Sequence, residues 1–311
     1  MRLPFVNEVS KRTGVKRADL IEKDLLLHQI LADLSSDLFF SDSFLFKGGT
    51  CLIKGYIGYF RFSEDVDFTW RDQSVYEGKS GKEMRRYLST LIDDAGGLFE
   101  EISARRGFDF RCAKRDRNYV ELGGSDKICT FKLWYDSEAL RWRSFIKVQV
   151  NFVEKLLYPP ETIMLQSLLT GADARTKREM GLLFPEQSDY LQAIPFKAYE
   201  VREMLAEKIR SILTRSGVKA RDYVDVYVIG KRFGVKPDDV LDQAMEKIQF
   251  TLGLYEKYRR NLDARKAVLG AEPFTWGEER GLLLEEIDET EFYEFLESFN
   301  EFILKVVNGL G

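Results

Sequence analysis

Histidine is almost missing from this chain: His28 stands alone among 311 residues. That scarcity excludes zinc sites built on imidazole, since three cysteines without ligand spacing cannot replace it. It also argues against a serine hydrolase, for no Gly-x-Ser-x-Gly occurs to place a nucleophile beside it. His28 itself lies in the apolar stretch Leu25–Leu31, where packing is the expected role. Cys51, Cys112 and Cys129 are an odd set and read as buried or free thiols of a reducing compartment. No apolar run approaches the roughly 20 residues needed to cross a bilayer. Met1-Arg2-Leu3-Pro4-Phe5 offers no signal-peptide core. The expectation is a cytoplasmic protein with no membrane partner. Walker A and Gly-x-Gly-x-x-Gly patterns, internal repeats and low-complexity segments are all absent as well.

What is present begins at Phe46-Lys47-Gly48-Gly49-Thr50 and continues at Arg61-Phe62-Ser63-Glu64-Asp65-Val66-Asp67-Phe68-Thr69. Side chains alternate along a strand, so Ser63, Asp65, Asp67 and Thr69 are expected on one face and Glu64, Val66, Phe68 and Trp70 on the other, mostly apolar one. Neighbouring carboxylates repel unless a cation joins them, and oxygen-only ligands suit Mg²⁺, or Mn²⁺, completed by water and substrate phosphates. A Gly-Gly-Thr turn opening a helix offers N–H groups to phosphate. Either half alone is weak evidence, since Gly-Gly marks many turns and Asp-x-Asp many acidic loops. Together, with 14 residues between Thr50 and Asp65, they fit one turn–helix–strand unit. That is the equipment for nucleotidyl transfer from an NTP by two-metal chemistry.

Net charge is −4, yet it is unevenly distributed. Residues 105–117 carry six Arg or Lys against Asp109 and Asp116, and residues 202–221 carry six against Glu203 and Glu207. Ten acids with one Arg over 278–301 mask both tracts. Local patches steer polyanions, so an RNA partner is compatible with an acidic whole; solvated faces are the plainer reading of either tract.

The length suits about two domains. Residues 5–40 read as helical, 63–70 as a strand, 81–105 as a helix, and 107–114, 127–135 and 145–153 as strands. Pro159-Pro160 marks a boundary, and from Ala198 the pattern is helical, clearest over 284–306. Lys208 falls within the apolar stripe Val201, Met204, Leu205 and Ile212. Such a lysine must reach a cleft, pair with an acid, or snorkel. The next helix sets Asp222 and Asp225 on one side with Val226 and Ile229. A lysine and two acids there suggest a polar site, with phosphate binding and a structural Lys–Asp pair as the two readings.

These residues carry a resemblance to the AbiEii/AbiGii-type nucleotidyltransferase toxins, including the mycobacterial MenT group. The matching pieces are Ile21-Glu22-Lys23-Asp24, Gly48–Thr50, Arg61–Asp67, Glu207-Lys208 with Arg215, and Arg221-Asp222-Tyr223-Val224-Asp225. The resemblance implies an α+β chain: a polymerase-β-like nucleotidyltransferase lobe with a mixed sheet (1–158), joined to a mainly helical C-terminal lobe (159–311) that completes the NTP site. It implies transfer of nucleotides to tRNA 3′ ends, which blocks aminoacylation, in a toxin–antitoxin pair whose antitoxin is encoded nearby. Gly48, Gly49, Thr50 and Ser63 would hold nucleotide phosphate, and Asp65 and Asp67 the Mg²⁺. Lys208 would bind the triphosphate, and Asp222 or Asp225 would be the distal catalytic acid. One departure stands out: on the later strand Phe145–Asn151, Lys147, Gln149 and Asn151 share a face and none is an acid. Two further readings remain beside the leading one: the same chemistry on a protein or small hydroxyl acceptor, and a non-catalytic nucleotide-binding regulator.

Overall fold

The computed structural model describes residues 2–268 and 274–310. They form two compact units: residues up to Glu154 with Pro160–Ala198, and Lys155–Pro159 with the chain from Tyr199 onward. The architecture is α+β.

The first unit opens with α1 (Leu3–Thr13), α2 (Ala18–Ser36) and α3 (Leu38–Ser43). The helical stretch expected over 5–40 is broken twice. Gly14 ends α1 in the left-handed region, which costs glycine nothing. Asp37 then caps α3 by accepting from the Phe40 amide at 2.8 Å. The unit continues with β1 (Phe44–Lys47), α4 (Gly48–Cys51) running into a π-helical turn (Leu52–Ile57), and β2 (Asp65–Trp70). Next is α5 (Gly81–Arg106), started by a Ser80–Glu83 capping box and stopped at Gly107. Then come β3 (Val120–Gly123), β4 (Ile128–Asp136), β5 (Arg143–Asn151), β6 (Glu161–Leu165), α6 (Ala174–Leu183) and β7 (Ile194–Ala198).

The strands form one seven-stranded mixed sheet, ordered β3-β4-β5-β2-β1-β7-β6. β2 is central, antiparallel to β1 and parallel to β5. Alternation along β2 buries Val66 and Phe68 in an aromatic core with Phe44, Phe46 and Phe196. Asp65 and Asp67 are thereby turned to the opposite face.

Three expectations need correction. Residues 107–114 make only an isolated bridge, Asp109 to Trp134; Phe110 packs on Phe99 and Phe131 instead, and the Cys112 amide is taken by Glu100. The boundary is also not a single cut at 158. After the Lys155–Pro159 crossing the chain returns, and β6 and β7 extend the sheet from residues assigned by sequence to the helical lobe. Pro195 hides β7 in the sequence. It is tolerated because β7 meets β1 only at Ala198. The last helix starts later than 284, as given below.

The second unit comprises α7 (Val201–Thr214), α8 (Ala220–Phe233), α9 (Leu241–Leu254), α10 (Glu256–Val268) and α11 (Glu289–Gly309). α11 begins where Asp288 caps the Glu291 amide at 3.0 Å. It buries Phe292, Leu296, Phe299, Ile303 and Val306 along one stripe and leaves its acids in solvent. The 155–159 segment is fixed to this unit by Glu203, which accepts from the Leu157 and Tyr158 amides and pairs with fully buried Lys247 at 2.7 Å.

Candidate active site

In the first unit the structure joins the glycine turn to the aspartate strand. Asp67 sits opposite Lys47 across β1 and beside Gln149 on β5. Gly48, at φ +79°, lies against the Asp67 carboxylate: a Cβ there would stand 2.5 Å from Oδ2. Gly49 is also closely packed, since its Cβ would meet the Arg61 guanidinium at 2.6 Å and Ser63 Oγ at 3.1 Å. The Thr50 hydroxyl donates to the Asp65 carbonyl and lies 2.8 Å from Ser63 Oγ. Gly48, Gly49, Thr50, Ser63, Asp65 and Asp67 are therefore one cluster. Ser63 precedes the strand rather than sharing its pleat, because β2 begins at Asp65.

The face around this cluster is as polar as the sequence implies. Register places Lys147 beside Asp65, Gln149 beside Asp67 and Asn151 beside Thr69. Lys147 Nζ approaches Asp65 Oδ2 at 3.8 Å. No group of three or more His, Cys, Asp or Glu able to hold a metal occurs among the described residues. The set is two carboxylates, Asp67 lying against Gly48 and Asp65 approached by Lys147. Hard oxygen donors of this kind fit a divalent cation whose shell is finished by water and phosphate.

Sequence reasoning missed the supports. Lys47 is buried on the Asp67 face and pairs with buried Glu154 at 3.1 Å. Arg61, equally buried, donates to the Phe62 carbonyl at 2.8 Å. Behind α4, Asp24 of α2 accepts from Lys54 Nζ and the Tyr59 hydroxyl, both at 2.8 Å, and from the Tyr190 hydroxyl at 2.5 Å. Burial, only partly countered by Asp24, pulls the Lys54 pKa down. Burial also pushes the Tyr59 and Tyr190 hydroxyls up, so both stay protonated donors. His28 packs edge-on against Tyr190, and burial with nearby Lys54 lowers it to about 3. It is a neutral packing residue, as its setting in α2 suggests. Lys23 pairs with Glu64 at 2.9 Å, so consecutive residues of α2 hold the π-helical turn after α4 and the entry to β2. The signal for Lys47 and Lys54 was available: each is a lysine inside an apolar element.

The second unit gathers the other charged residues. Lys208 Nζ lies 2.8 Å from Asp222 Oδ1 and 2.6 Å from Asp225 Oδ2, and Arg215 reaches Asp222 at 3.2 Å. Burial would raise the Asp222 pKa, but Lys208 and Arg215 outweigh it and hold it at about 2. The lysine in the apolar stripe is paired, not snorkelling. Much of tract 202–221 is spent on such pairs, with Arg202 on Glu200 and Arg210 on Glu207. Tract 105–117 is largely paired as well: Arg105 and Arg106 bind Asp33, Lys114 binds Asp93 and Arg111 binds Asp116, while Arg105, Arg111, Arg115 and Arg117 are exposed.

With this geometry in place, comparison with known proteins is decisive on one point. The family model described as nucleotidyl transferase AbiEii toxin, type IV toxin–antitoxin system, matches residues 29–305. This chain belongs to the AbiEii family. AbiEii membership makes it a nucleotidyl transferase and implies an NTP substrate and an antitoxin partner. Among solved structures it is similar to JHP933 from Helicobacter pylori, at 14% identity and TM-score 0.44, covering 94% of this chain and 93% of that one. A second H. pylori structure, of a candidate nucleotidyltransferase, gives 13% identity and TM-score 0.43 over 95% and 97%. A search of curated proteins returns no match. No helix of this AbiEii chain, among the described residues, is long and apolar enough to cross a membrane.

Proposed function

We propose that this AbiEii chain transfers a nucleotidyl group from an NTP to the 3′ end of tRNA in the cytoplasm, with Mg²⁺ held by Asp65 and Asp67. The observation that carries the chemistry is the seat of the Asp67 carboxylate against Gly48, at the start of the helix whose amides would meet phosphate. When bound, the cation would neutralise phosphate charge and lower the pKa of the attacking hydroxyl. Gly48, Gly49, Thr50 and Ser63 orient the triphosphate, and Lys208 adds a cation to it. The terminal ribose hydroxyl oxygen attacks the α-phosphorus. The bond to the bridging oxygen breaks, pyrophosphate leaves, and the hydroxyl proton is lost. Both acids beside Lys208 are buried and within ion-pair distance of it, and Asp222 also meets Arg215; either would orient the lysine or serve as the distal acid.

The lack of an acid among Lys147, Gln149 and Asn151 is the one observation that favours a non-catalytic nucleotide binder. Incubating the purified protein with total tRNA and each labelled NTP separates the readings. Mg²⁺-dependent label on tRNA, lost in Asp65→Ala, is the expected outcome. Label on protein or on a small hydroxyl compound overturns the acceptor, and NTP binding without transfer overturns the enzyme.

A further inference from the structure

The sheet face that carries Asp65 and Asp67 does not end at β5. Register continues it strand by strand. Lys147 is opposite Lys132 on β4, Phe145 opposite Trp134, and Arg143 opposite Asp136. The alternate residues Phe131, Leu133, Ile146 and Val148 are buried in the core behind. Lys132, Trp134, Phe145 and Lys147 remain partly open, and Arg143 is exposed. The face thus presents two aromatic rings, 4.8 Å between centroids, with the Arg143 guanidinium 5.0 Å from the Trp134 ring centre.

Its parts are held in place. The Trp134 indole N–H donates to the Asn118 carbonyl at 2.7 Å, which fixes the ring plane. The β4–β5 turn is gripped by buried Glu22 of α2, which accepts from Ser137 Oγ at 2.5 Å and from the Glu138 amide at 3.0 Å. Beyond that turn stands Trp142, 63% exposed. These rings pack on each other on a braced strand pair, outside the sheet's buried core, and stay partly open to solvent among basic side chains. Stacked planar rings beside cations suit unpaired bases and their phosphates. Each cation also meets an acid: Lys132 with Glu121 at 3.0 Å, Arg143 with Asp109, and Lys147 with Asp65. These pairs are partly solvated, so a phosphate can compete for the cation.

We infer that the β4–β5 face, with Trp134 and Phe145 as stacking residues and Lys132, Arg143 and Lys147 as phosphate contacts, seats the single-stranded 3′ segment of the acceptor RNA. Phe145 lies two residues along β5 from Lys147, about 7 Å, and Lys147 adjoins Asp65. A strand lying on this face therefore delivers its end toward Asp65 and Asp67. The inference rests on the RNA-acceptor reading above, and it places specificity in the unpaired end rather than in the folded body of the RNA.

The test uses the full chain, an RNA hairpin ending in an unpaired 3′ tail, and the NTP that supports transfer. Trp134→Leu/Phe145→Leu keeps apolar volume but removes both rings. RNA Kd should rise by about thirtyfold or more, from the loss of about 1–3 kcal/mol for each of the two stacked bases, while the KM for NTP changes little. Lys132→Glu/Arg143→Glu should weaken RNA binding and flatten its salt dependence. Should the aromatic variant fold poorly, 4-thiouridine in the tail of RNA bound to wild-type protein should cross-link within residues 128–147. Unchanged RNA affinity in both variants, or cross-links confined to other segments, overturns the inference while the transferase reading stands. Wild-type protein that neither binds nor labels RNA overturns both readings. Loss of antitoxin binding with intact RNA affinity reassigns the face to the protein partner.

Discussion

Asp67 and Gly48 are in mutual contact: the carboxylate occupies the volume a Cβ on residue 48 would need, with Oδ2 only 2.5 Å from that position. The glycine is required twice over, by its φ of +79° and by the acid it faces.

Gly48→Ala should therefore cost about 1–2 kcal/mol from left-handed backbone strain alone. It should also push Asp67 from its seat and lower transfer by about tenfold or more, about 1.4 kcal/mol in the barrier. Denaturant melts and kcat/KM check the two effects separately. An active, wild-type-like Gly48→Ala would show that the contact has no functional weight.

Asp65→Ala should leave the fold intact, since this side chain lies outside the core, and should lower transfer by about a hundredfold or more. Mg²⁺ should raise the wild-type Tm by binding the folded state and should fail to raise that of the variant. An equal Mg²⁺ shift in both proteins would move the ion elsewhere.

Asp24→Ala leaves Lys54 charged and buried without its carboxylate, a loss of about 3–5 kcal/mol. Asp24→Leu/Lys54→Met removes both charges and should recover part of that stability. The double variant should still transfer poorly if the network's purpose is to fix α4. Recovery of full activity along with stability would limit the network to packing.

Lys208 and Asp222 give a pH test. The folded pKa of Asp222 is depressed from 3.8 to about 2, so the pair's stabilisation is present above pH 4 and is lost as pH falls through 2. Asp222→Asn should flatten acid unfolding of the second unit over that interval. Lys208→Ala should weaken NTP binding by about 1.5–3 kcal/mol if a charge-assisted bond to phosphate is lost. Normal NTP affinity in a folded Lys208→Ala would leave the pair a structural role alone.

Much of this was legible in the residues. The spacing of Gly48–Thr50 and Asp65–Asp67 announced one turn–helix–strand unit because glycine at a turn and strand alternation are local rules. The stripes of α7 and α11 were legible for the same reason, since helical periodicity needs no partner. The sequence determined that Lys208 required an unusual environment and offered Asp222 and Asp225 as its acids, but not whether either paired with it. Only the tertiary structure decided that Glu154 meets Lys47, and that Asp24 meets Lys54 and Tyr190. Those pairings join residues far apart in the chain, and no local preference encodes them. The same limit hid β6 and β7, short strands with a proline that become strands only through their partners. It also hid the surface on β4 and β5: Trp134 and Phe145 read as ordinary strand aromatics until the register set them side by side on the face of Asp65.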